Sequence, residues 1–159
     1  MIIAGVDPGV KVTGVVIAEA KGRSSFKIKH TEEIVTDAKT PLSERLNRIF
    51  NYLSEIILSF HPDTIVLEKL YSHYRHPATS IMLGHARGIV VLLSARMNVT
   101  LVEYSATQVK KAVTSSGTAS KEQVKRMVSY LSGIDEPLKS EHIADALALI
   151  ITYLHSLNL

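Results

Sequence analysis

Apolar and polar residues in the first third of the chain follow the spacing of β-strands. Residues 2–6 are apolar and rich in β-branched side chains, the turn sequence Asp-Pro-Gly at 7–9 follows, and residues 12–18 resume the strand pattern. These segments predict a hairpin. Residues 26–35 predict a third strand, so the amino-terminal part is expected to be an antiparallel meander.

The spacing then changes to that of an α-helix. Thr40 followed by Pro41 has the form of an N-cap with proline at the first helical position, and the next apolar residues recur at helical spacing. A helix ending near Phe60 is predicted. The run at 64–67 is nearly continuous in apolar residues, which predicts a strand buried on both faces.

The remainder of the chain is predicted to be mostly helical. Residues 77–97 have helical spacing, and a strand at 99–104 follows them. Ser120 and Gln123 have the spacing of a capping box, and Ser140 is a favourable N-cap for a closing helix.

This order of elements predicts an α/β fold with a mixed five-stranded sheet flanked by helices. It is the order of the ribonuclease H-like fold, in which the first strand lies centrally and carries an acid. Strand order is only an analogy, because one fold can host many functions. Since no linker or repeat interrupts the pattern, residues 1–159 are predicted to form a single ribonuclease H-like nuclease domain.

The amino-acid composition excludes several kinds of active site and indicates where the protein acts. The chain contains no cysteine, which excludes disulfides, thiolate zinc sites and cysteine nucleophiles, so any metal must bind oxygen or imidazole ligands. No basic segment precedes an apolar one at the amino terminus, and no uninterrupted apolar run approaches the ~20 residues of a membrane helix. A cytoplasmic protein without a membrane partner is therefore expected.

Acidic residues stand where a buried structure would not tolerate them unpaired. Asp7 and Glu68 each follow an apolar strand, and His142 and Asp145 share one face near the start of an otherwise apolar helix. Each has a plainer explanation: Asp7 as a turn residue, Glu68 as a solvated strand end, Asp145 as an acid facing water and His142 as a surface residue. Glu141 is expected to act electrostatically at the helix start.

Together these side chains predict a metal-dependent active site. Acids that converge on one cleft need cations, and oxygen ligands suit Mg²⁺ or Mn²⁺. Two ions per site are the usual arrangement for phosphodiester hydrolysis, and Asp7 is the expected bridging ligand. The sequence offers no Walker A motif, serine elbow or zinc-protease signature as an alternative.

A cluster of cations lies in the second half of the chain. The stretch contains a single acid, Glu122, which favours a surface that binds a polyanion, although a solvated helix face gives the same pattern. The cations are Lys110, Lys111, Lys121, Lys125 and Arg126.

At this point the sequence resembles the RuvC family of Holliday junction resolvases over nearly its whole length. Five segments match in the family's order, and five in register are far more specific than any one alone. They are GVDPGVKVTG at 5–14, IVLEKLY at 65–71, LGHARG at 83–88, YSATQVKKAVTSSGTASKEQVKRMV at 104–128 and HIADALALI at 142–150.

The resemblance implies a homodimer that cuts a four-way DNA junction with two symmetric nicks. Asp7, Glu68 and Asp145 match three of the family's four catalytic acids, whereas His142 occupies the position where aspartate is found in many members. Because imidazole suits Mn²⁺ and removes one negative charge, we expect Mn²⁺ to substitute for Mg²⁺ or to be preferred.

The resemblance also implies contacts with DNA. Tyr71 matches an aromatic residue that stacks on an unpaired base, although it can also pack under its own loop. Lys110 and Lys121 match lysines that face DNA, with Lys111, Lys125 and Arg126 as further phosphate contacts. The LGHARG segment lies on the helix that the family uses for dimer packing. A branch-migration motor is a further partner that family membership suggests.

Two other functions fit the same site residues. One is a ribonuclease H-like nuclease that cuts structured RNA, and the other is a non-catalytic module, either a junction binder or a nucleotide-binding relative of actin. The basic segment and Tyr71 favour junction DNA over RNA, and the sequence lacks the additional glycine-rich phosphate loops that actin-like proteins need.

Overall fold

The computed structural model describes residues 1–22, 25–70, 77–134, 138 and 140–157. These residues form five strands and five helices. In chain order they are β1 (Ile2–Asp7), β2 (Val12–Ala20), β3 (Phe26–Val35), α1 (Leu42–Phe60), β4 (Thr64–Glu68), α2 (Pro77–Arg96), β5 (Thr100–Tyr104), α3 (Ala106–Thr114), α4 (Lys121–Leu131) and α5 (Glu141–Ser156).

The strands form one mixed sheet in the order β3-β2-β1-β4-β5, which confirms the predicted α/β class. The strand β1 lies at the centre, antiparallel to β2 and parallel to β4, and β4 is parallel to β5. Val6 pairs with Leu67, so the next residues, Asp7 and Glu68, end neighbouring parallel strands at the same edge. The topology therefore brings two of the predicted site residues together.

Helices cover both faces of the sheet. The buried apolar residues of α1 and α2, among them Ile49 and Leu93, pack with Val6 and Leu67 on one face. On the other face, α3, α4 and α5 enclose a second apolar cluster. Because neighbouring residues of a strand point to opposite faces, β1 and β4 contribute to both clusters, as expected of strands buried on both sides.

Two glycines allow α5 to lie directly on the sheet. A Cβ atom at Gly5 would overlap the carbonyl oxygen of Ala146, and a Cβ atom at Gly14 would lie 2.5 Å from the carbonyl oxygen of His142. Real side chains do not tolerate such distances. The close approach fixes the height of the first turns of α5 above the ends of β1 and β2.

The hydrogen bonds at the helix starts test the predicted N-caps. The predicted capping box at Ser120 and Gln123 and the N-cap at Ser140 are both confirmed. Thr40 as the N-cap of α1 is wrong, because Pro41 itself has extended backbone angles and its carbonyl accepts from the amides that begin the helix. A capping box that begins at Ser105 starts α3 and was not predicted.

Helix α2 leaves much of its apolar surface uncovered. Its segment Ala78–Arg96 is long and apolar enough to cross a membrane by length and composition, yet only 22% of it is buried. The segment is not an uninterrupted apolar run in the sequence, because it contains His85 and Arg87. One such helix is weak evidence for a membrane, but the uncovered apolar surface needs an explanation.

Candidate active site

Two carboxylates come from the ends of the central parallel strands. Asp7 is the last residue of β1 and is partly buried, and Glu68 is the last residue of β4 and more exposed. Both strands are apolar up to these residues because they are covered on both faces. Polar side chains appear where the strands leave the core, as the rule for the carboxyl edge of α/β sheets predicts.

The other two predicted residues come from the first turns of α5. Ser140 caps this helix: its hydroxyl accepts from the amide of Ile143 at 3.1 Å and donates to the carboxylate of Glu33 on β3. His142 follows the cap by two residues, and its Nδ1 lies 2.7 Å from Oδ2 of Asp7 at the end of β1. Asp145, one turn later, projects from the otherwise buried helix. The N-cap and the hydrogen bond from Ser140 to Glu33 of β3 thus fix the backbone from which His142 and Asp145 project.

A cavity of about 420 Å³ opens between these elements. Asp7, Glu68 and Asp145 all line it, so the structure brings the three predicted acids to one site. His142 does not line the cavity and reaches it through its hydrogen bond to Asp7. Three acids from three elements that are distant in sequence therefore share one solvent-filled space.

Two of the acids, Glu68 and Asp145, have pKa values above those of isolated carboxyl groups. Partial burial, followed by the negative charge of Asp7, raises the pKa of Asp145 to about 6, against the opposing effects of Lys121 and His142. Partial burial, then Asp145 and then Asp7, raises the pKa of Glu68. Both side chains still face the cavity, so their charges can be neutralised from there.

The donor set fits a hard divalent cation. Carboxylate oxygens are the preferred ligands of Mg²⁺ and Mn²⁺, and their mutual repulsion here is what a bound cation would relieve. Among the described residues, no three acid or histidine side chains are already gathered as ligands of one ion. The residue types therefore indicate the class of cation, whereas the distances do not give the number of ions.

Arg87 of α2 belongs to the site, although the sequence analysis placed it only on the dimer helix. Its guanidinium donates through Nη1 to the backbone carbonyl of Glu68 at 2.7 Å and forms an ion pair with Glu103 of β5. It also lines the cavity. Two unusual positions, an arginine inside the apolar α2 and an acid inside β5, were the available signal.

The predicted cations separate into two groups. Lys110 of α3 and Lys121 of α4 line the cavity with the acids, and Lys125 lies in a shallow cleft beside Asp145. Arg126 lies instead in a separate depression at the loop between α3 and α4.

Two other predicted residues, Lys111 and Glu141, do not line the cavity. Lys111 is exposed on α3 and lines neither the cavity nor the cleft. Glu141 is the first residue of α5, and its charge contributes to the raised pKa of Asp145. Tyr71 lies outside the described residues.

Comparison with known proteins identifies the family to which the chain belongs. The family model described as crossover junction endodeoxyribonuclease RuvC matches residues 3–153. Curated proteins of that name from Alkaliphilus oremlandii and Pseudothermotoga lettingae are 37% and 40% identical to this chain. The alignments cover 99% and 94% of this chain, and 95% and 91% of those proteins.

Solved structures give the same result. RuvC of Thermus thermophilus in complex with a Holliday junction substrate superposes with a TM-score of 0.89 at 28% identity, over 99% of this chain and 96% of that one. The yeast mitochondrial Holliday junction resolvase, at 15% identity and a TM-score of 0.65 over 96% of this chain and 78% of that one, shares the fold. The chain therefore belongs to the RuvC family of crossover junction endodeoxyribonucleases, a family of divalent-metal-dependent nucleases.

Proposed function

We propose that this chain resolves four-way DNA junctions during recombination and repair, and that it hydrolyses the phosphodiester bonds in the cavity between β1, β4 and α5. The observation that carries the assignment of the site is the convergence of Asp7, Glu68 and Asp145 on one cavity that Lys110 and Lys121 also line. An acid cluster alone would repel DNA. Lysines on the rim provide the attraction that brings a phosphate to the acids.

Asp7, Glu68 and Asp145 would hold the cations, with His142 as a fourth member of the set. We propose Mg²⁺ or Mn²⁺, two per site. The chemistry that such ions supply when bound is activation of the attacking water and stabilisation of the leaving oxygen. The chain contributes fixed carboxylates: Asp7 is held by the centre of the sheet, Glu68 by the neighbouring strand and Asp145 by a capped helix.

His142 has a role that the fourth acid of other family members does not offer. Its 2.7 Å contact with Asp7 orients that carboxylate while no cation is bound. A neutral imidazole also adds a nitrogen donor without adding negative charge to a site that already contains three acids. We therefore propose that His142 both orients Asp7 and completes the ligand set.

The cations around the cavity suit contacts with DNA phosphates both at the site of cutting and farther out. Lys110, Lys121 and Lys125 lie close enough to the acids to position the phosphate that is cut. Lys111 and Arg126, which lie farther out, would contact a DNA arm. Tyr71 comes three residues after Glu68 in the sequence, and we propose it as a base-stacking residue.

We also propose that the protein acts as a homodimer through α2. Ile81 and Leu92 expose 61% and 52% of their surface on this helix, and nothing lies within 4 Å of a Cβ atom built at Gly84 or Gly88. Apolar side chains beside bare glycines suit the close approach of a second helix, and a twofold enzyme suits a twofold substrate. A branch-migration motor as partner, and action in the cytoplasm, complete the proposal.

Junction cleavage by the Asp7→Asn variant tests this assignment. The variant should lose cutting of a synthetic four-way junction in Mg²⁺ and in Mn²⁺, because the central carboxylate is gone, and should still bind the junction in a gel-shift assay. Linear duplex and RNA hairpins serve as competing substrates for the wild type. Cutting by Asp7→Asn at the wild-type rate would contradict the site, and preference for RNA would contradict the substrate.

A further inference from the structure

Helix α2 contributes Leu83 and Arg87 to the lining of the cavity, and Arg87 contacts the backbone of Glu68. The neighbouring positions of α2, Ala86 and Val90, are apolar and buried, and Val90 packs against the sheet. Arg87 instead points along the edge where β4 and β5 end. Its side chain is 17% exposed, so it is largely removed from water while it remains charged.

The Glu68–Lys69 peptide group is hydrogen-bonded on both sides. Its carbonyl oxygen accepts from Nη1 of Arg87 at 2.7 Å. Its N–H, which belongs to Lys69, donates to the carbonyl oxygen of Tyr104 at 2.8 Å. These two atoms lie on opposite sides of one planar unit, so the two bonds together fix the orientation of the peptide. The direction of the Glu68 side chain depends on that orientation.

Glu103 holds the arginine in place. It precedes Tyr104 on β5, and its carboxylate forms an ion pair with the other terminal nitrogen of Arg87. One guanidinium thus joins the end of β4 to β5, with one nitrogen for each partner. A lysine has a single nitrogen and no fixed fork, so it cannot replace both contacts with the same geometry.

We propose that Arg87, anchored by Glu103, is a positioning residue for Glu68: it fixes the peptide that orients this carboxylate. The proposal rests on the role of Glu68 given above. Neither residue touches the reacting atoms in this scheme. Without the contact only the Lys69–Tyr104 hydrogen bond holds the Glu68–Lys69 peptide, so its orientation varies more and the glutamate occupies its productive direction for a smaller part of the time.

Single-turnover cutting of a four-way junction separates this role from general stability. Arg87→Gln and Glu103→Gln should each lower the rate by about tenfold to a hundredfold, as is typical when a group that orients a ligand is lost. Junction affinity should stay unchanged. Arg87→Lys should give an intermediate rate, and adding Glu103→Gln to Arg87→Gln should cost nothing more, because Glu103 acts through the arginine. Arg96→Gln, at the exposed end of the same helix, is the matched control.

Hydrogen exchange of the metal-free protein gives a readout that does not depend on activity. In Arg87→Gln the Lys69 amide should exchange faster than in the wild type, while amides in the centre of β4 should not change. Wild-type cutting and wild-type Lys69 exchange in Arg87→Gln would overturn the proposal. So would a loss of cutting that is matched by an equal loss of junction affinity and a uniform rise in exchange.

Glu68→Gln distinguishes failure of this inference from failure of the proposed function. If Glu68→Gln is inactive and Arg87→Gln behaves as the wild type, only the positioning role is wrong. If Glu68→Gln cuts at the wild-type rate, Glu68 is not part of the machinery, and both proposals fall together.

Discussion

Asp145 binds its proton unusually tightly because its carboxylate is partly buried close to Asp7. With a folded-state pKa of about 6, the charged form weakens the metal-free fold at neutral pH. The resulting loss of folding stability is complete above about pH 6. It declines as the pH falls toward the ordinary aspartate pKa near 4, and it disappears below that value. The acid proposed to hold a cation thus lowers the stability of the fold when no cation is present.

Asp145→Asn should therefore stabilise the metal-free protein. After allowance for solvent screening of a partly exposed group, roughly 1 kcal/mol is expected, or about 2–4 °C in Tm at pH 7.5. The gain should vanish near pH 4. Thermal unfolding in excess chelator measures it, with Glu55→Gln on the exposed side of α1 as the control. A lower Tm for Asp145→Asn at pH 7.5 would contradict the electrostatic account.

His142 is expected to affect a second property at the scale of single residues, the preference between cations. Replacing it with aspartate restores a fourth carboxylate and removes the nitrogen donor, so the ratio of Mn²⁺-supported to Mg²⁺-supported cutting should fall several-fold. Titration of each ion in a junction-cutting assay measures the ratio. An unchanged ratio in His142→Asp would show that the imidazole does not act as a ligand.

Individual residues differ in how far sequence could identify them. Asp7, Glu68 and Asp145 were identifiable because acids inside apolar patterns are unusual, and the structure brings them to one cavity. Arg87 was not, because its partners, the Glu68 carbonyl and Glu103, are 16 or more positions away and no local pattern links them. The separation of Arg126 from the acids likewise depends on packing between helices.

At the scale of elements, the position of α5 depends on the absence of side chains beneath it. Gly14 pairs with Asp7 across the sheet and lies under the backbone of His142. The distance between helix and sheet at this point is therefore set by the glycine, and both side chains of the His142–Asp7 pair depend on it.

Gly14→Ala should raise the start of α5 and separate this pair. The added methyl group would lie 2.5 Å from the His142 carbonyl oxygen, so the helix must move. Overpacking of this kind typically costs about 1–3 kcal/mol, and cutting should fall more than stability alone explains. Chemical denaturation and single-turnover cutting measure the two effects. Thr31→Ala, exposed on neighbouring β3, should change neither.

Element boundaries followed from sequence where the signal is local. Ser120 and Ser140 were predicted as caps because their hydroxyls bond to amides only three positions away. Ser105 carries the same box with Gln108 and could have been read in the same way. The prediction of Thr40 as the N-cap of α1 was wrong because the choice between two adjacent residues depends on backbone angles that composition does not determine.

At the scale of the whole molecule, the uncovered face of α2 is what most requires a partner. Leu92→Glu places a charge in the proposed dimer interface, so the dimer should dissociate to monomer, while the fold is retained because the side chain is exposed. Sedimentation measures the mass, and circular dichroism measures the fold. Leu58→Glu, at 59% exposure on α1, is the matched control and should leave the mass unchanged. An unchanged mass for Leu92→Glu would contradict dimerisation through α2.

The two glycines beneath α5 also divide the site into parts that can and cannot be redesigned. His142 is 42% exposed at its side chain, so an engineer who wants a different metal preference can exchange it without disturbing the core. Gly5 and Gly14 offer no such freedom, since any larger residue lifts the helix that carries His142 and Asp145. Variation in this nuclease is therefore expected to accumulate in what α5 presents to the cavity, and not in the surface on which it rests.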